Sequence, residues 1–233
     1  MSGTNSIESC EKCLVRWDNL KHLTKAELQQ LNSNRYEATL KPGEILIKQE
    51  SPASNALFIA SGMAKNYIEG IHGRNLIMSI LLPGRLIMGP GAYVNSRYTY
   101  SVSAITPVRA CFISFDIFRH LVKVNGDFAD GMLQDISIKS LRLHTRMVNL
   151  TQKKMPGRMA EVLLYLSDDV FGSDEYEMIL SRQELGEMTN MVKESVVRIL
   201  KEFEDSGVIS IRSSVLKILN REKLLQISAT STQ

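Results

Sequence analysis

Two side chains of opposite charge, Glu194 and Arg198, stand four residues apart in a segment rich in helix-forming residues. Residues at this spacing are neighbours on one face of an α-helix. An arginine can donate two hydrogen bonds to O6 and N7 of guanine, and a carboxylate can accept one from N4 of cytosine. One helical turn between the groups would let them address neighbouring base pairs. The alternative is an ordinary surface ion pair, worth about 0.2–0.5 kcal/mol of helix stability.

A short capped helix is predicted just before this segment. Ser181 and Glu184 form a capping box, in which the serine hydroxyl accepts from the amide of the third helical residue and the glutamate accepts from the serine amide. The helix is expected to run from Arg182 to about Met188. Asn190 then predicts a tight turn, because asparagine readily adopts the left-handed backbone conformation.

The charged pair itself lies on a second predicted helix, over residues 192–205, which Gly207 ends. Apolar runs over 208–211 and 215–219 predict a β-hairpin. Helix, turn, helix and hairpin together make a winged helix-turn-helix. The buried stripe of the second helix is expected to contain Val196, Ile199, Leu200 and Phe203, and its outward face Lys193, Glu194, Val197, Arg198 and Lys201.

Turn residues punctuate the chain between residues 40 and 113 at short intervals, in pairs such as Pro42-Gly43 and Pro83-Gly84. Short β-branched or aromatic runs lie between them, over 45–47, 56–60, 76–80 and 98–105. Many short strands with regular turns are typical of a sandwich, barrel or jelly roll. We therefore expect an α+β chain whose N-terminal part is a β-roll of the jelly-roll kind.

A long proline-free segment, about 127–153, follows the β-rich part. Its apolar residues recur at alternating four- and three-residue steps, a heptad seam interrupted by Ser140. Ile138, Leu141 and Val148 fall on the opposite side, so we expect one face to pack on its own domain and the other on a partner helix. A single core helix in a monomer is the alternative. The predicted dimer seam comprises Ala129, Leu133, Ile136, Leu143, Met147 and Leu150.

Met155-Pro156-Gly157 should interrupt this helical pattern, as proline and glycine do, and we place the domain hinge there. An amphipathic helix over 158–170 and a short strand over 176–180 are expected next. The predicted domains are a β-roll sensor over 1–126, a dimerisation helix over 127–154 and a winged helix-turn-helix over 155–233.

The length of 233 residues, with 44% apolar and 23% charged residues, fits one to two globular domains. No run approaches the roughly 18 apolar residues of a membrane-spanning helix, and the first thirty residues are too polar for a signal peptide. The protein is therefore expected in the cytoplasm, with no membrane partner. Residues 1–151 hold 17 Lys and Arg against 12 Asp and Glu, whereas residues 152–233 hold 11 against 13. Binding to nucleic acid must then use a local cationic face.

Enzyme motifs are missing from the sequence. The four histidines are scattered without H-x-H or H-E-x-x-H spacing. No G-x-S-x-G, phosphate-binding loop or G-x-G-x-x-G is present. We therefore expect no catalytic activity. A β-roll regulatory protein that binds a protein partner without DNA is the competing class, but it would leave the capped second helix without a role.

The segment LSRQELGEMTNMVKESVVRILKEFEDSGVIS resembles the C-terminal domain of the cyclic-AMP receptor protein/fumarate-nitrate regulator (CRP/FNR) transcription factors, whose recognition helix carries an E-x-x-x-R signature. The resemblance covers nearly the whole chain: KPGEILIKQE, ALFIASGMAKNYI and LIMSILLPGRLIMGPG match the β-roll, and NLTQKKMPGRMAEVLLYL matches the junction of dimer helix and hinge. It implies a cyclic-nucleotide-binding-like roll and a homodimer on a palindromic double-stranded DNA operator, with half-sites about one DNA turn apart. RNA polymerase is a further partner that it implies.

The same resemblance implies roles for residues of the helix-turn-helix. Val197 lies where relatives differ according to the half-site they read. Asn190 replaces a glycine often found in the turn, and Val192 replaces a usual capping residue. The implied base-reading residues are Glu194, Arg198, Lys193, Ser195 and Val197, and the implied phosphate contacts are Ser181, Arg182 and Gln183, to which we add Lys201.

Relatives that bind cyclic AMP hold the ribose with a Gly-Glu stretch and the cyclic phosphate with an Arg-Ser/Thr pair. The corresponding stretches here are GPGA at 89–92 and SRYT at 96–99, so the carboxylate is missing. Arg97 stands one position early, which on a strand turns its side chain to the other sheet face. Cyclic AMP is therefore not expected, whereas a different effector and a packed roll without ligand both remain open. The candidate pocket lining is Gly89, Tyr93, Arg97, Tyr98, Thr99, Ser140 and His144.

Cys10, Cys13 and Cys111 resemble three of the four cluster ligands of the oxygen-sensing branch, but the remaining position falls near Asn19. Iron–sulfur clusters usually take four thiolates, and Asp18 could substitute for the missing one. An odd number of cysteines without an export signal argues against a disulfide framework. An iron–sulfur cluster, a thiol redox switch and purely structural cysteines all remain open, with structural cysteines as the default interpretation.

Overall fold

The computed structural model describes residues 9–230 other than Lys12, Leu14 and Pro90. The chain forms two compact units, residues 9–69 with 79–139 and residues 70–78 with 140–230. The predicted α+β class is confirmed: an antiparallel β-roll comes first, then a long helix, then a helix-turn-helix with a small sheet. The three-domain division at 126 and 154 stays a prediction.

Eight strands build the β-roll as two four-stranded antiparallel sheets, in the orders β1-β8-β3-β6 and β2-β7-β4-β5. Glycines close the tight turns between strands. At Gly62 the backbone φ is +81° and a Cβ atom would lie 2.1 Å from the carbonyl oxygen of Pro107, so no other residue fits there. The strands are β1 (Arg35–Leu40), β2 (Ile45–Ile47), β3 (Asn55–Ser61), β4 (Ala64–Glu69), β5 (Asn75–Leu81), β6 (Leu86–Ile87), β7 (Ser101–Ala104) and β8 (Val108–Ser114).

Helices and an N-terminal segment complete the core of the first unit. These helices are α1 (Lys25–Ser33), the one-turn α2 (Gly91–Val94) and α3 (Phe115–Val124). Phe118 and Phe128 are fully buried, and the ring of Trp17 packs edge-on against Phe128 with 5.7 Å between the ring centroids. Each such aromatic side chain contributes about 1.5–3 kcal/mol through burial. The N-terminal segment is therefore part of the packed roll.

The long helix, α4, runs over Gly126–Gln152 and confirms the predicted helix. The proposed packing of Ile138, Leu141 and Val148 on their own domain is wrong, because these side chains are 49–65% exposed. Phe128 and Met132 are the buried residues of α4 instead. Both lie in its first two turns, and the apolar face beyond them has no cover within the described chain. The dimer seam is accordingly open, with Leu133, Ile136, Leu143 and Met147 exposed and Ala129 and Leu150 half-buried.

The expected break at residues 155–157 lies slightly earlier, at Lys153 and Lys154. The next helix, α5 (Met155–Tyr165), already contains Pro156 in its first turn. A proline there loses no hydrogen bond, because the first amides of a helix have no intrahelical acceptor. A π-helical turn over Leu166–Phe171 continues α5, and Gly172 ends it in the left-handed conformation.

The rest of the second unit contains the predicted winged helix-turn-helix. Its elements are β9 (Glu175–Glu177), α6 (Arg182–Thr189), α7 (Lys193–Asp205), β10 (Ile209–Arg212), β11 (Val215–Ile218) and α8 (Arg221–Thr230). The hairpin β10–β11 gains β9 as a third strand, in the order β10-β11-β9. No helix in the described part of the chain is both long and apolar enough to span a bilayer.

Candidate nucleic-acid interface

The first helix of the pair, α6, begins at the predicted capping box. The hydroxyl of Ser181 accepts from the amide of Glu184 at 3.2 Å, and the carboxylate of Glu184 accepts from the amide of Ser181 at 2.8 Å. Ser181 and Gln183 are exposed and Arg182 is half-exposed at this end. These three predicted phosphate contacts thus lie together on an accessible helix start, where free amides and the helix dipole favour an anion.

The turn between the helices is tight. Asn190 adopts φ 52° and ψ 53°, the predicted left-handed conformation. It therefore has the backbone conformation for which the resembled family often uses a glycine. The amide of Met191 donates to the carbonyl of Gly186 at 2.9 Å. A Cβ atom on Gly186 would lie 2.6 Å from the carbonyl oxygen of Met191. A glycine at 186 is therefore needed for this close approach, a requirement that the sequence analysis did not identify.

The second helix, α7, presents the predicted faces. Val196, Ile199, Leu200 and Phe203 are at most 4% exposed, which confirms the buried stripe. Val192 precedes α7 and supplies no capping side chain, so the first amides of α7 remain available to an outside acceptor. The outward face is confirmed as well: Lys193, Glu194, Val197, Arg198 and Lys201 are exposed, and Ser195 is half-buried.

Arg198 forms an ion pair with Glu202, and not with Glu194, the partner considered in the sequence analysis. Its Nη1 donates to Oε1 of Glu202 at 2.6 Å, one turn further along α7, and both side chains are about half exposed. An exposed pair at this spacing contributes about 0.3–0.5 kcal/mol. A bidentate contact with guanine contributes about 1–3 kcal/mol of discrimination. A guanine edge would therefore outcompete Glu202, while Glu194 stays unengaged by Arg198.

Charge is distributed unevenly along the exposed surface of α7. The exposed basic groups are Lys193, Arg198 and Lys201, with the carboxylate of Glu194 among them, whereas the acidic groups Glu202, Glu204 and Asp205 cluster at the C-terminal end. The N-terminal part of the helix, residues 193–201, therefore has three basic groups and one acidic group, the local excess of positive charge that binding to nucleic acid needs. That part is also the one that recognition helices insert into the major groove.

The small sheet fixes the end of α7. The carboxylate of Glu204 accepts from the amide of Ile211 on β10 at 2.8 Å. Ser213 turns the hairpin with φ 56°, and Lys217 on β11 pairs with Glu175 on β9 at 2.7 Å. The third strand therefore braces the wing from the side, and Arg212 stands at the exposed tip beside Ser213.

The candidate effector residues are divided between the two compact units. Tyr98 is buried, donates its hydroxyl hydrogen to the carbonyl of Asn55 at 2.6 Å, and lies against Gly89, where a Cβ atom would be 3.2 Å from its ring. Tyr93, Arg97 and Thr99 are exposed in the same unit. Ser140 and His144 are exposed on the part of α4 that belongs to the second unit. A pocket lined by these residues stays a prediction.

The three cysteines, by contrast, line one small cavity of about 20 Å³ in the first unit, together with Arg16 and Arg35. Arg35 donates to the sulfur of Cys111 at 3.7 Å and pairs with Glu37 at 2.5 Å. Burial raises the pKa of the Cys111 thiol to about 11, against an opposing effect of Arg35. Burial likewise raises the pKa of Cys10.

These residues do not fit an iron–sulfur cluster. Iron–sulfur clusters are usually held by four thiolates, whereas the chain has three cysteines. The cavity offers room for about one water molecule. Asp18, the possible fourth ligand, is exposed and pairs with Lys21 at 2.7 Å. Within the described ranges, no group of three or more His, Cys, Asp or Glu side chains is placed to hold a metal ion.

A β-roll, a long helix with an open apolar face and a winged helix-turn-helix whose second helix exposes Lys193, Arg198 and Lys201 define a DNA-binding protein with a regulatory domain. Comparison with protein families agrees. Residues 37–125 match the cyclic nucleotide-binding domain, and residues 157–227 match the Crp-like helix-turn-helix domain. The chain belongs to the CRP/FNR family and is a DNA-binding transcriptional regulator.

Individual relatives support this assignment along most of the chain. It is 24% identical over 214 residues to the anaerobic regulatory protein of Aggregatibacter actinomycetemcomitans, covering 90% of this chain and 83% of that protein. It is 28% identical over 177 residues to the cAMP-activated global transcriptional regulator CRP of Salmonella typhimurium, covering 74% and 84%. The fold is similar to that of FixK2 from Bradyrhizobium japonicum, with a TM-score of 0.76, 18% identity, and coverage of 84% and 98%.

Proposed function

We propose that the chain works as a homodimer that reads a palindromic operator by inserting α7 of each subunit into the major groove. The observation that carries this proposal is the accessible outward face of α7, with Glu194 and Arg198 one turn apart on it. Because a twofold dimer presents two such helices, the operator should contain two half-sites about one DNA turn apart.

Each predicted contact has a physical role in this arrangement. Arg198 pairs with a guanine, Glu194 accepts from a cytosine, and Lys193, Ser195 and Val197 border the same base pairs. Ser181, Arg182, Gln183 and Lys201 hold the DNA backbone and set the register of α7. The exposure of these groups supports the assignment, since all are accessible or half-accessible in the described structure.

The second copy of the chain covers the open face of α4. Leu133 is 64% exposed, Ile136 51%, Leu143 44% and Met147 57%, which is an unusual cost for one helix in water. Fully burying an exposed leucine, isoleucine or methionine contributes about 1.5–3 kcal/mol, and roughly half of that is available from each of these half-exposed side chains. Four such residues on each of two helices therefore provide a strong drive to associate.

The β-roll is proposed to respond to a signal other than cyclic AMP. The carboxylate of the nucleotide-binding pattern is replaced by GPGA, and the Tyr98 ring fills space beside Gly89. Regulation would proceed through altered presentation of α7 to the operator and contact of the bound dimer with RNA polymerase. A regulator of genomic DNA acts where that DNA is held, so we propose a cytoplasmic location. We also propose that the chain has no catalytic activity, since its sequence lacks the enzyme motifs named above.

Selection of a duplex from a random-sequence library by the purified protein tests the proposed function. We expect enrichment of a twofold symmetric sequence, and a gel shift of that duplex at salt concentrations that release random DNA. A protein that shifted no fragment at any salt concentration, or that enriched no symmetric sequence, would contradict the proposal.

Replacing Lys201 by alanine should weaken binding to every duplex by a similar factor. A lysine on phosphate contributes a sequence-independent term, and its loss should reduce the slope of log affinity against log salt by about one per subunit. Fluorescence anisotropy on the selected and a random duplex, over a salt series, measures both quantities. A loss confined to the selected duplex would show instead that Lys201 contacts a base.

A further inference from the structure

Arg146 of α4 joins two segments that are distant in the sequence. Its Nη2 donates to the carbonyl of Met188, in the last turn of α6, at 2.8 Å, and also to the carbonyl of Ile77 on β5. All three residues belong to the second compact unit. Arg146 is half-buried, and its Nε has no hydrogen-bond partner among the described residues. The hydrogen bonds that the guanidinium donates within the described chain are therefore those to these two carbonyls.

The contact with Met188 satisfies a group that the helix itself cannot. The last four carbonyls of a helix lack intrahelical donors. They also form the negative end of the helix dipole, where a cation is favoured. A guanidinium stays charged in proteins, so Arg146 meets both requirements at the C-terminal end of α6. Met188 is itself 1% exposed, which leaves little room for water to replace the arginine.

The end of α6 is also the start of the turn that orients α7. Thr189 and Asn190 follow Met188 directly, and α7 begins three residues after Asn190. On the far side of the turn, Nη1 of Arg158 on α5 lies 3.4 Å from the carbonyl of Asn190. Arginines from two other helices thus hold the backbone on either side of Thr189.

We propose that Arg146 is a positioning residue for operator recognition, fixing the turn of the helix-turn-helix to α4 so that the two recognition helices of a dimer keep the half-site spacing. It touches no DNA. This inference rests on the proposed function, because α4 carries the dimer seam and α7 reads the operator. Two rigidly spaced helices bind a second half-site at high effective concentration, whereas loosely held helices lose that advantage.

Arg146→Met tests the inference, since it keeps an unbranched side chain and removes every donor. Arg146→Lys restores a donor, and Arg142→Met is the matched control, an exposed arginine one turn earlier on α4. The probes are the duplex selected by the wild-type protein and the same duplex with one half-site scrambled, both read by fluorescence anisotropy. On the intact duplex we expect Arg146→Met to bind about tenfold or more weakly, and on the scrambled duplex within about twofold of wild type. Arg146→Lys should be intermediate and Arg142→Met unchanged.

Three results would overturn the inference: wild-type affinity of Arg146→Met for the intact duplex, an equal loss on both duplexes, or an equal loss in Arg142→Met. An equal loss on both duplexes would show that the arginine merely supports the fold of the helix-turn-helix. If Arg146→Met does not fold by circular dichroism, the Arg146→Lys variant decides, because a wild-type ratio of the two affinities would contradict positioning and a reduced ratio would support it. Failure of the wild-type protein to prefer the selected duplex would instead contradict the proposed function.

Discussion

Replacing Arg198 by alanine should abolish discrimination between the operator and a duplex altered at the guanine it reads, while non-specific binding persists. The guanidinium is accessible and its bond to Glu202 is weak enough for a guanine edge to displace it. Its loss should cost about 1–3 kcal/mol at each half-site. Because the contribution is specific to one base pair, the variant should bind the original and altered duplexes equally well.

Competition titrations with the two duplexes measure this selectivity. Glu202→Ala is the matched control, because it breaks the same ion pair and leaves the guanidinium in place. The control should keep the selectivity of the wild-type protein. Wild-type selectivity in Arg198→Ala would show that another side chain reads the base.

Replacing Leu143 by glutamate should convert the dimer to monomers with weak operator affinity. Leu143 is 44% exposed in the middle of the open face of α4. In a twofold dimer both copies change, so the burial of the exposed 44% of each of two leucines is lost, about 1–3 kcal/mol when the usual contribution per side chain is scaled by that fraction. Two carboxylates would also be brought together in an apolar interface, which burial strongly disfavours.

Light scattering gives the mass directly, to be compared with the 26.2 kDa of one chain. Leu141→Glu provides the matched control, since Leu141 is 65% exposed on the other side of the same helix. That variant should remain dimeric and bind the operator. A Leu143→Glu protein that stayed dimeric, or a Leu141→Glu protein that dissociated equally, would show that the interface lies elsewhere.

The helix-turn-helix could be predicted almost to the residue because its signals are local. Ser181 and Glu184 define one helix start, Asn190 the turn and Gly207 the end of α7, and the structure contains each of these features. The buried stripe of α7 follows from periodicity alone. These patterns depend on neighbours within one or two helical turns, so no distant contact is needed to interpret them.

Features that depend on distant contacts could not be predicted in the same way. β9 joins the wing by pairing with β11, and the residues of Glu175–Glu177 contain no pattern that predicts this pairing. From the sequence, Arg146 is expected at a surface position on an amphipathic helix, yet it donates hydrogen bonds to the carbonyls of Ile77 and Met188. Leu141 is apolar yet exposed. Its exposure could not be predicted, because periodicity identifies an apolar face without showing whether anything covers it. The cysteines converge through folding of the N-terminal segment onto β8, which the family resemblance indicated and no local pattern did.

Dimethyl sulfate footprinting of the selected operator tests most directly whether α7 reads the major groove, because the reagent methylates guanine at N7, an atom exposed in that groove. With the wild-type protein we predict protection of a guanine N7 in both half-sites, centred about 10–10.5 base pairs apart. Arg198→Ala should leave the same guanines reactive when enough protein is added to saturate the duplex. Full reactivity of those N7 atoms under the bound wild-type protein would contradict the central claim.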